Sequence, residues 1–364
     1  MLRLFNILLV ILGLVPIHSC VNKTQNEVVI VDLEQSISSS DSDSRIMPEL
    51  VLDNIIETNL GDEMHSKLRI KAHSDSLFYL SDNSKIFLIN RRDGKMKNVI
   101  DRQGRGPGEY LSPSGIALSD SMVVVSDVMG RRVLEYSFDL DTCHAAIDVP
   151  NLGAIKRLQN GNWVVSYTSV PSDKTSKLQV YSSESEFIRE SEIRPIEIES
   201  PMVRLDYLTG FGDDTYYIPA YSDTLYIVTS EVDVPLMLID CGKYKMPLEY
   251  YSSLDLFDSH CYDYIQNIEF LISSNNLFIS YHYNQHVYYT IWDLNGLLLY
   301  SYNVSYENYK SGMPFRVGNQ LVYLWPSYSI GNNIYCVLSE EESIKLNQDS
   351  KNQQDLVIAV LSCR

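Results

Sequence analysis

Apolar and polar residues alternate with a period of two along most of the chain after Met47, in short runs separated by turn residues. Such alternation puts successive side chains on opposite faces of a strand, so it predicts half-buried β-strands. The 3.6-residue period of a long amphipathic helix does not occur, and only PLEYYSSLDLF (247–257) suggests a short helix, within an insertion. The pattern is typical of a β-sandwich, barrel or propeller.

A unit of alternating strands and polar turns recurs six times, about 40–60 residues apart. The units start at Ser76, Ser121, Trp163, Asp214, Asn276 and Asn319. This spacing is close to the period of about 40–50 residues that propeller blades show. We therefore expect an all-β fold, a six-bladed β-propeller with four-stranded antiparallel blades that pack on their neighbours.

A closed ring needs its two chain ends to meet. The apolar segment DLVIAVLSC (355–363) supplies a strand at the C-terminus. Two N-terminal segments are candidates to complete its blade: VVIV (28–31) and LVLDNIIET, which follows Pro48 and Glu49. Pairing the first and last strands would close the ring and hide its edges.

The first twenty residues, MLRLFNILLVILGLVPIHSC, combine an early arginine with an apolar run that is too short for a membrane span of about 20 residues. They predict a signal peptide. Its end, Ile17-His18-Ser19-Cys20, resembles a bacterial lipobox, although His18 departs from the usual small residue. The resemblance implies that Cys20 is lipidated and anchors the protein to a membrane of the cell envelope.

The predicted organisation has three parts: a signal peptide over 1–20, a polar tether with a candidate closing strand over 21–47, and one six-bladed propeller over 48–364. The serine-rich acidic stretch SISSSDSDSR (36–45) favours a flexible spacer.

The composition limits the classes of partner that the protein is expected to bind. The formal net charge is −18, with no cluster of Lys and Arg, which argues against nucleic acid as a partner. Beyond Cys20 the cysteines are irregularly spaced and form no zinc-binding CxxC pair; they are Cys143, Cys241, Cys261, Cys336 and Cys363. We expect small buried side chains, with Cys241 and Cys261 the pair to test as a disulfide.

The stretch GRGPG (104–108) lies between the first two units. A phosphate-binding loop would need a following helix, but here the chain runs through EYLSPSGI into a strand. Glycine permits positive φ angles and Pro107 fixes φ near −65°, so the stretch predicts a tight turn between blades.

Residues 102–141 also resemble one NHL repeat. The matching positions are Gly106, Pro107, Gly108, Tyr110, Pro113, Gly115, Ile116, Asp127, Arg132 and Val133. With the lipobox-like end and the segment DTLYIVTSEVDVPLMLIDCGK (223–243), the chain resembles the six-bladed β-propeller lipoproteins of Bacteroidota. The resemblance implies a fold and an envelope location, whereas a fold does not dictate an activity.

Few residues stand out as candidate chemistry. Four arginines in and near the GRGPG turn could hold an acidic ligand through bidentate hydrogen bonds or form structural salt bridges; they are Arg102, Arg105, Arg131 and Arg132. His282 and His286 are weak candidates for a metal site. Asp82 and Asp127 end strands, where capping of a turn is the expected role. The Tyr-rich segments DTYYIPAY, EYYSS and YHYNQHVYYT are candidates for an aromatic platform that binds a sugar, although strand propensity and packing explain most of these tyrosines.

The sequence shows no nucleophile motif and no catalytic residue, and we predict no cofactor. It favours a non-catalytic, envelope-tethered binding or scaffold propeller whose channel mouth meets a glycan, peptide or protein partner. A metal-dependent hydrolase or lyase centred in the channel is one alternative, and a structural subunit of an envelope complex is another.

Overall fold

Strands dominate the chain. The computed structural model describes residues 28–39, 47–58, 60, 68–82, 84–149, 152–167, 178–193, 196, 207–212, 214–309, 312–346 and 356–363. These residues form six sheets arranged as the blades of a ring, antiparallel except where a strand is added in parallel at the outer side of two of them, which confirms the predicted six-bladed β-propeller. Residues 1–20, including Cys20, and most of the predicted tether lie outside the described residues.

The first three blades each have four strands in the order in which the chain makes them, from the channel outwards. Blade one consists of β3 (Arg69–His73), β4 (Leu77–Ser81), β5 (Ile86–Asn90) and β6 (Met96–Ile100). Blade two consists of β7 (Pro113–Leu118), β8 (Val123–Asp127), β9 (Arg132–Tyr136) and β10 (Cys143–Asp148). Blade three consists of β11 (Leu152–Arg157), β12 (Trp163–Tyr167), β13 (Gln179–Tyr181) and β14 (Phe187–Glu190).

Blades four and five repeat this plan. Blade four consists of β15 (Tyr207–Phe211), β16 (Asp214–Ile218), β17 (Thr224–Val228) and β18 (Asp233–Asp240). Blade five consists of β19 (Gln266–Ile272), β20 (Asn276–Tyr283), β21 (His286–Asp293) and β22 (Leu298–Ser305). Between them lies an insertion with 3-10 helices at Gly242–Tyr244, Leu248–Ser252 and Cys261–Asp263, and helix α2 (Leu254–His260). The helix predicted over 247–257 is therefore present as two short ones.

Blade six closes the ring with strands from both ends of the chain. Its inner strands are β25 (Tyr328–Ile330), β26 (Asn333–Val337) and β27 (Val357–Cys363), with helix α3 (Glu340–Leu346) between the last two. The outer strand β2 (Glu49–Glu57) pairs antiparallel with β27, so LVLDNIIET is the closing strand. A hairpin of β23 (Met313–Val317) and β24 (Gln320–Leu324) extends the sheet outwards from β2.

The start predicted for the sixth unit was wrong. Five of the unit starts fall on or directly before the second strand of a blade, but Asn319 precedes β24, at the outer edge of blade six. The second strand of that blade is β26, and its inner strand begins at Tyr328. The outer hairpin alternates apolar and polar residues as a blade does, so its sequence alone does not distinguish the two.

The other candidate closing strand lies in a different blade. Strand β1 (Val29–Asp32) runs parallel to β18 at the outer edge of blade four, and helix α1 (Leu33–Ser39) follows it. Val31 and Leu33 are fully buried. Ser36 Oγ lies 2.6 Å from the Tyr281 hydroxyl, so residues 29–39 form an arm bound to blades four and five.

Apolar side chains fill the spaces between blades. One cluster joins blades one and six and contains Ile56, Phe78 and Ile358. Others join blades one and two around Tyr110 and Val125, and blades two and three around Val124 and Trp163. Because each blade buries its faces on its neighbours, stability depends on closure of the ring.

Candidate functional site

The GRGPG stretch forms a turn between blades one and two, as predicted. The amide of Gly104 donates to the Tyr110 carbonyl, and the amide of Gly106 donates to Glu109 Oε2 at 2.7 Å. Gly108 has a φ of +69°, and a Cβ atom there would lie 2.8 Å from Cys143 Cβ, so only glycine fits without strain. Hydrogen bonds between the glycines of the turn and the residues that follow it therefore hold the loop in place.

Asp127 anchors this turn from blade two. Its carboxylate is fully buried and accepts hydrogen bonds from the amides of Leu111, Ser112 and Gly130 at 2.9–3.1 Å. Arg132 Nε forms an ion pair with it at 3.3 Å. The expected turn-capping role of Asp127 is therefore present, at the end of the second strand of its blade.

The four candidate arginines have different surroundings. Arg132 is largely buried and also donates to the carbonyls of Gly104 and Glu109, which is a structural arrangement. Arg102 donates to the Asp141 carbonyl at 3.2 Å. Arg105 and Arg131 are exposed, and none of the four is among the described residues that line the two cavities below. Binding of an acidic ligand by them stays a prediction.

His282 and His286 lie on opposite faces of one hairpin. His282 pairs with Val287 across the two strands, whereas His286 pairs with Tyr283. Cross-strand partners share a face and successive residues alternate, so the two imidazoles diverge. Within the described part of the chain, no three His, Cys, Asp or Glu side chains are grouped as metal ligands would be.

No disulfide joins the cysteines whose side chains the structure describes: Cys143, Cys241, Cys261 and Cys336. Cys241 and Cys336 are buried, as small apolar side chains often are. The bridge between Cys241 and Cys261 that the sequence suggested for testing is not formed. The side chain of Cys363 lies outside the described residues.

A wide cleft lies where the insertion meets blade five. Phe257, Cys261 and Tyr262 of the insertion form one wall, and Tyr283 and Val287 of the β20–β21 hairpin form another. Tyr306 and Tyr309, which follow β22, complete it. Its volume of about 640 Å³ is within the usual range for ligand sites. We refer to it as the aromatic cleft.

Short contacts hold the walls of the aromatic cleft. Ser253 caps helix α2 by accepting a hydrogen bond from the Leu256 amide at 3.3 Å. Asn284 and Gln285 have φ angles of 46° and 59°, so they make the tight turn of the β20–β21 hairpin. The Asn284 amide donates to the Tyr262 carbonyl at 2.9 Å, which ties that hairpin to the insertion.

The floor of the aromatic cleft is polar but carries little charge. Gln266 Nε2 donates to the Cys261 carbonyl at 2.8 Å, and Asn267 Nδ2 lies 3.5 Å from His282 Nδ1. The Tyr306 hydroxyl lies 3.1 Å from the same nitrogen. Burial lowers the pKa of His282, opposed by Glu269, so the imidazole is neutral at pH 7. None of the described lining residues is Asp, Glu, Lys or Arg.

Three tyrosines leave large parts of their side chains exposed here. Tyr262, Tyr306 and Tyr309 are 51%, 38% and 55% exposed. The sequence had indicated the Tyr-rich hairpin as a candidate aromatic platform, and this hairpin supplies His282 and Tyr283 to the cleft. The sequence did not point to Tyr306 and Tyr309 or to the insertion residues Phe257, Cys261 and Tyr262, because three separate segments meet only in the fold. Within the described residues, no helix is long and apolar enough to cross a membrane.

Comparisons with solved structures agree with the fold. A Bacteroides fragilis protein described as "Putative exported protein" superposes with a TM-score of 0.65 at 17% identity, over 93% of this chain and 100% of that chain. Streptogramin B lyase matches with a TM-score of 0.41 at 8% identity, over 85% of this chain and 98% of the lyase, which is too distant to inform function. No curated protein matches the sequence.

The family comparison covers most of the propeller. The model of DUF4934, a domain of unknown function, matches residues 65–361. This span runs from just before the first blade to Leu361 in strand β27. The chain therefore belongs to the DUF4934 family.

Proposed function

We propose that this protein is a non-catalytic binding protein of the cell envelope and that it holds a neutral saccharide in the aromatic cleft. The observation that carries the proposal is the lining: exposed tyrosine rings beside amide side chains, with no carboxylate, ammonium or guanidinium among the described lining residues. Ligand sites commonly combine such apolar walls with a few placed polar groups.

The chemistry of a sugar matches both the aromatic and the polar side chains that line the cleft. Its C–H faces are apolar and pack on aromatic rings, while its hydroxyls both donate and accept hydrogen bonds. Gln266 and Asn267 each carry an acceptor oxygen and a donor nitrogen, and the neutral His282 adds a further polar group. A charged ligand would lose its hydration without gaining an opposite charge, so a neutral saccharide fits better.

A glycan array tests this proposal. We expect residues 28–364 to bind a subset of neutral oligosaccharides, and the double variant Tyr262→Ala/Tyr309→Ala to bind them at least tenfold more weakly, because about 1.4 kcal/mol of stacking corresponds to a factor of ten. The control is Tyr226→Ala, on β17 of blade four and away from the cleft. Equal binding by the double variant and the control would rule out this cleft.

The location in the envelope is part of the same proposal. The description of the B. fragilis protein supports export, and the lipobox-like end at Cys20 supports a lipid anchor. Eight residues lie between Cys20 and Val29, the start of the bound arm, and the nine residue steps from one to the other span at most about 30 Å when extended. A lipid on Cys20 would therefore keep the start of the arm, and with it blades four and five, near the membrane.

The anchor is tested by membrane fractionation of cells that express the full chain. We expect the wild-type protein in the membrane fraction and Cys20→Ala in the soluble extract, because the substitution removes the thiol that receives the lipid. Cys261→Ala serves as the matched control and should stay with the membranes. A Cys20→Ala protein that remains in the membrane fraction would contradict lipid attachment at this residue.

A further inference from the structure

A second, much smaller cavity lies in the central channel. It is lined by the ends of the inner strands β3, β7, β11 and β15 and by the start of β25; the lining residues include Lys71, His73, Leu118, Lys156 and Gly210. The aromatic cleft lies at the start of inner strand β19. Because the inner strands of a propeller run in the same direction through the ring, the two cavities open on opposite faces.

Two lysines meet in this channel. Lys156 extends from blade three towards blade one, and its Nζ lies 3.5 Å from the Lys71 carbonyl oxygen, to which it donates. Neither ammonium has a carboxylate within 4 Å among the described residues. Asp214, which also lines the cavity, accepts a hydrogen bond from Gln159 at 2.6 Å.

Burial and nearby positive charges lower the pKa of both lysines. Burial lowers the pKa of Lys156 to about 8, and Lys71 adds to this shift. Burial and the nearby Arg69 also lower the pKa of Lys71. The other charged or titratable groups that line the cavity are His73, Arg157, Asp214 and Tyr328. In a protein with a net charge of −18, this is a local concentration of positive charge.

We propose that the two channel lysines form a binding site for a small oxyanion: a phosphate, a sulfate or the terminal carboxylate of a larger ligand. The cavity volume is about 40 Å³, which holds a few water molecules or one such group but no sugar ring. An oxyanion bound beside Lys156 Nζ and the Lys71 side chain supplies the close negative partner that neither ammonium has among the described residues. This site is independent of the aromatic cleft.

Thermal unfolding with defined anions tests the site. At pH 7 we expect inorganic phosphate and sodium glucuronate, each compared with sodium chloride at equal ionic strength, to raise Tm by a few degrees. The rise should disappear in Lys156→Met and in Lys71→Met but persist in Lys97→Met, an exposed lysine of β6. A rise with phosphate alone indicates a free inorganic anion, and one with glucuronate indicates a terminal carboxylate.

The pH dependence of the Tm rise follows from the amine of Lys156. The Tm rise should be largest at pH 7 and disappear by about pH 9.5, because Lys156 loses its proton, and with it its attraction for the anion, near pH 8. No Tm rise with either anion, or an equal rise in Lys156→Met, overturns the proposal.

Amine labelling of the wild-type protein keeps the test independent of how well the variants fold. At pH 8, an amine-selective acetylating reagent should modify Lys156, and the anion that raises Tm should protect it, as measured by peptide mass spectrometry. Labelling that the anion leaves unchanged contradicts the site.

Discussion

Replacement of Asp127 by alanine is expected to lower the free energy of unfolding by about 3–5 kcal/mol, because it leaves a largely buried arginine without its partner. Asp127 is fully buried. Its carboxylate oxygens accept hydrogen bonds from three backbone amides and pair with Arg132. The amides of Leu111, Ser112 and Gly130 would also lose their acceptor. Urea unfolding of the wild type and the variant measures the difference.

Asp82 provides the matched control, since it occupies the equivalent place in blade one. Its Oδ1 accepts from the Ser84 and Lys85 amides at 2.8 Å, but it is partly exposed and pairs with no arginine within 4 Å in the described part of the chain. Asp82→Ala should cost only about 1 kcal/mol, as for loss of a cap. Equal losses in the two variants would contradict the anchoring role of Asp127.

Ile56→Ala is expected to lower the free energy of unfolding by about 2–5 kcal/mol, the usual cost of truncating a buried isoleucine. Ile56 is 1% exposed on the closing strand β2 and pairs with Ile358 of β27. It also packs in the cluster with Phe78 of blade one, so the substitution weakens two contacts that close the ring. Denaturant unfolding measures the loss.

Ile344→Ala is the control for this effect. Ile344 lies on helix α3 and is 54% exposed, so its truncation should change stability by less than about 0.5 kcal/mol. If Ile56→Ala were as stable as Ile344→Ala, closure through β2 would be wrong.

Much of the fold could be predicted because each blade has its own local pattern. Alternation and turn residues identified six units, and the GRGPG stretch was assigned to a turn because no helix follows it. The strand that closes the ring was harder to identify, since both VVIV and LVLDNIIET were candidates. Only the structure shows that the first binds blade four and the second closes the ring.

The candidate sites were harder to predict because they depend on contacts between distant segments. The spacing of His282 and His286 made them only weak candidates for a metal site, because the alternating pattern predicts a hairpin there, and the hairpin register places them on opposite faces. Lys71 and Lys156 are 85 residues apart and belong to no motif, so their meeting follows only from the ring. The aromatic cleft likewise joins an insertion, a hairpin and the segment after β22.

A calorimetric titration with the strongest neutral oligosaccharide from the array tests the central claim most directly. The proposal predicts that Tyr306→Ala binds at least tenfold more weakly than the wild type, because the tyrosine side chain lines the aromatic cleft. Arg105→Ala, in the GRGPG turn, should bind within about twofold of the wild type. Unchanged affinity in Tyr306→Ala together with a tenfold loss in Arg105→Ala would contradict it and place binding at the turn between blades one and two.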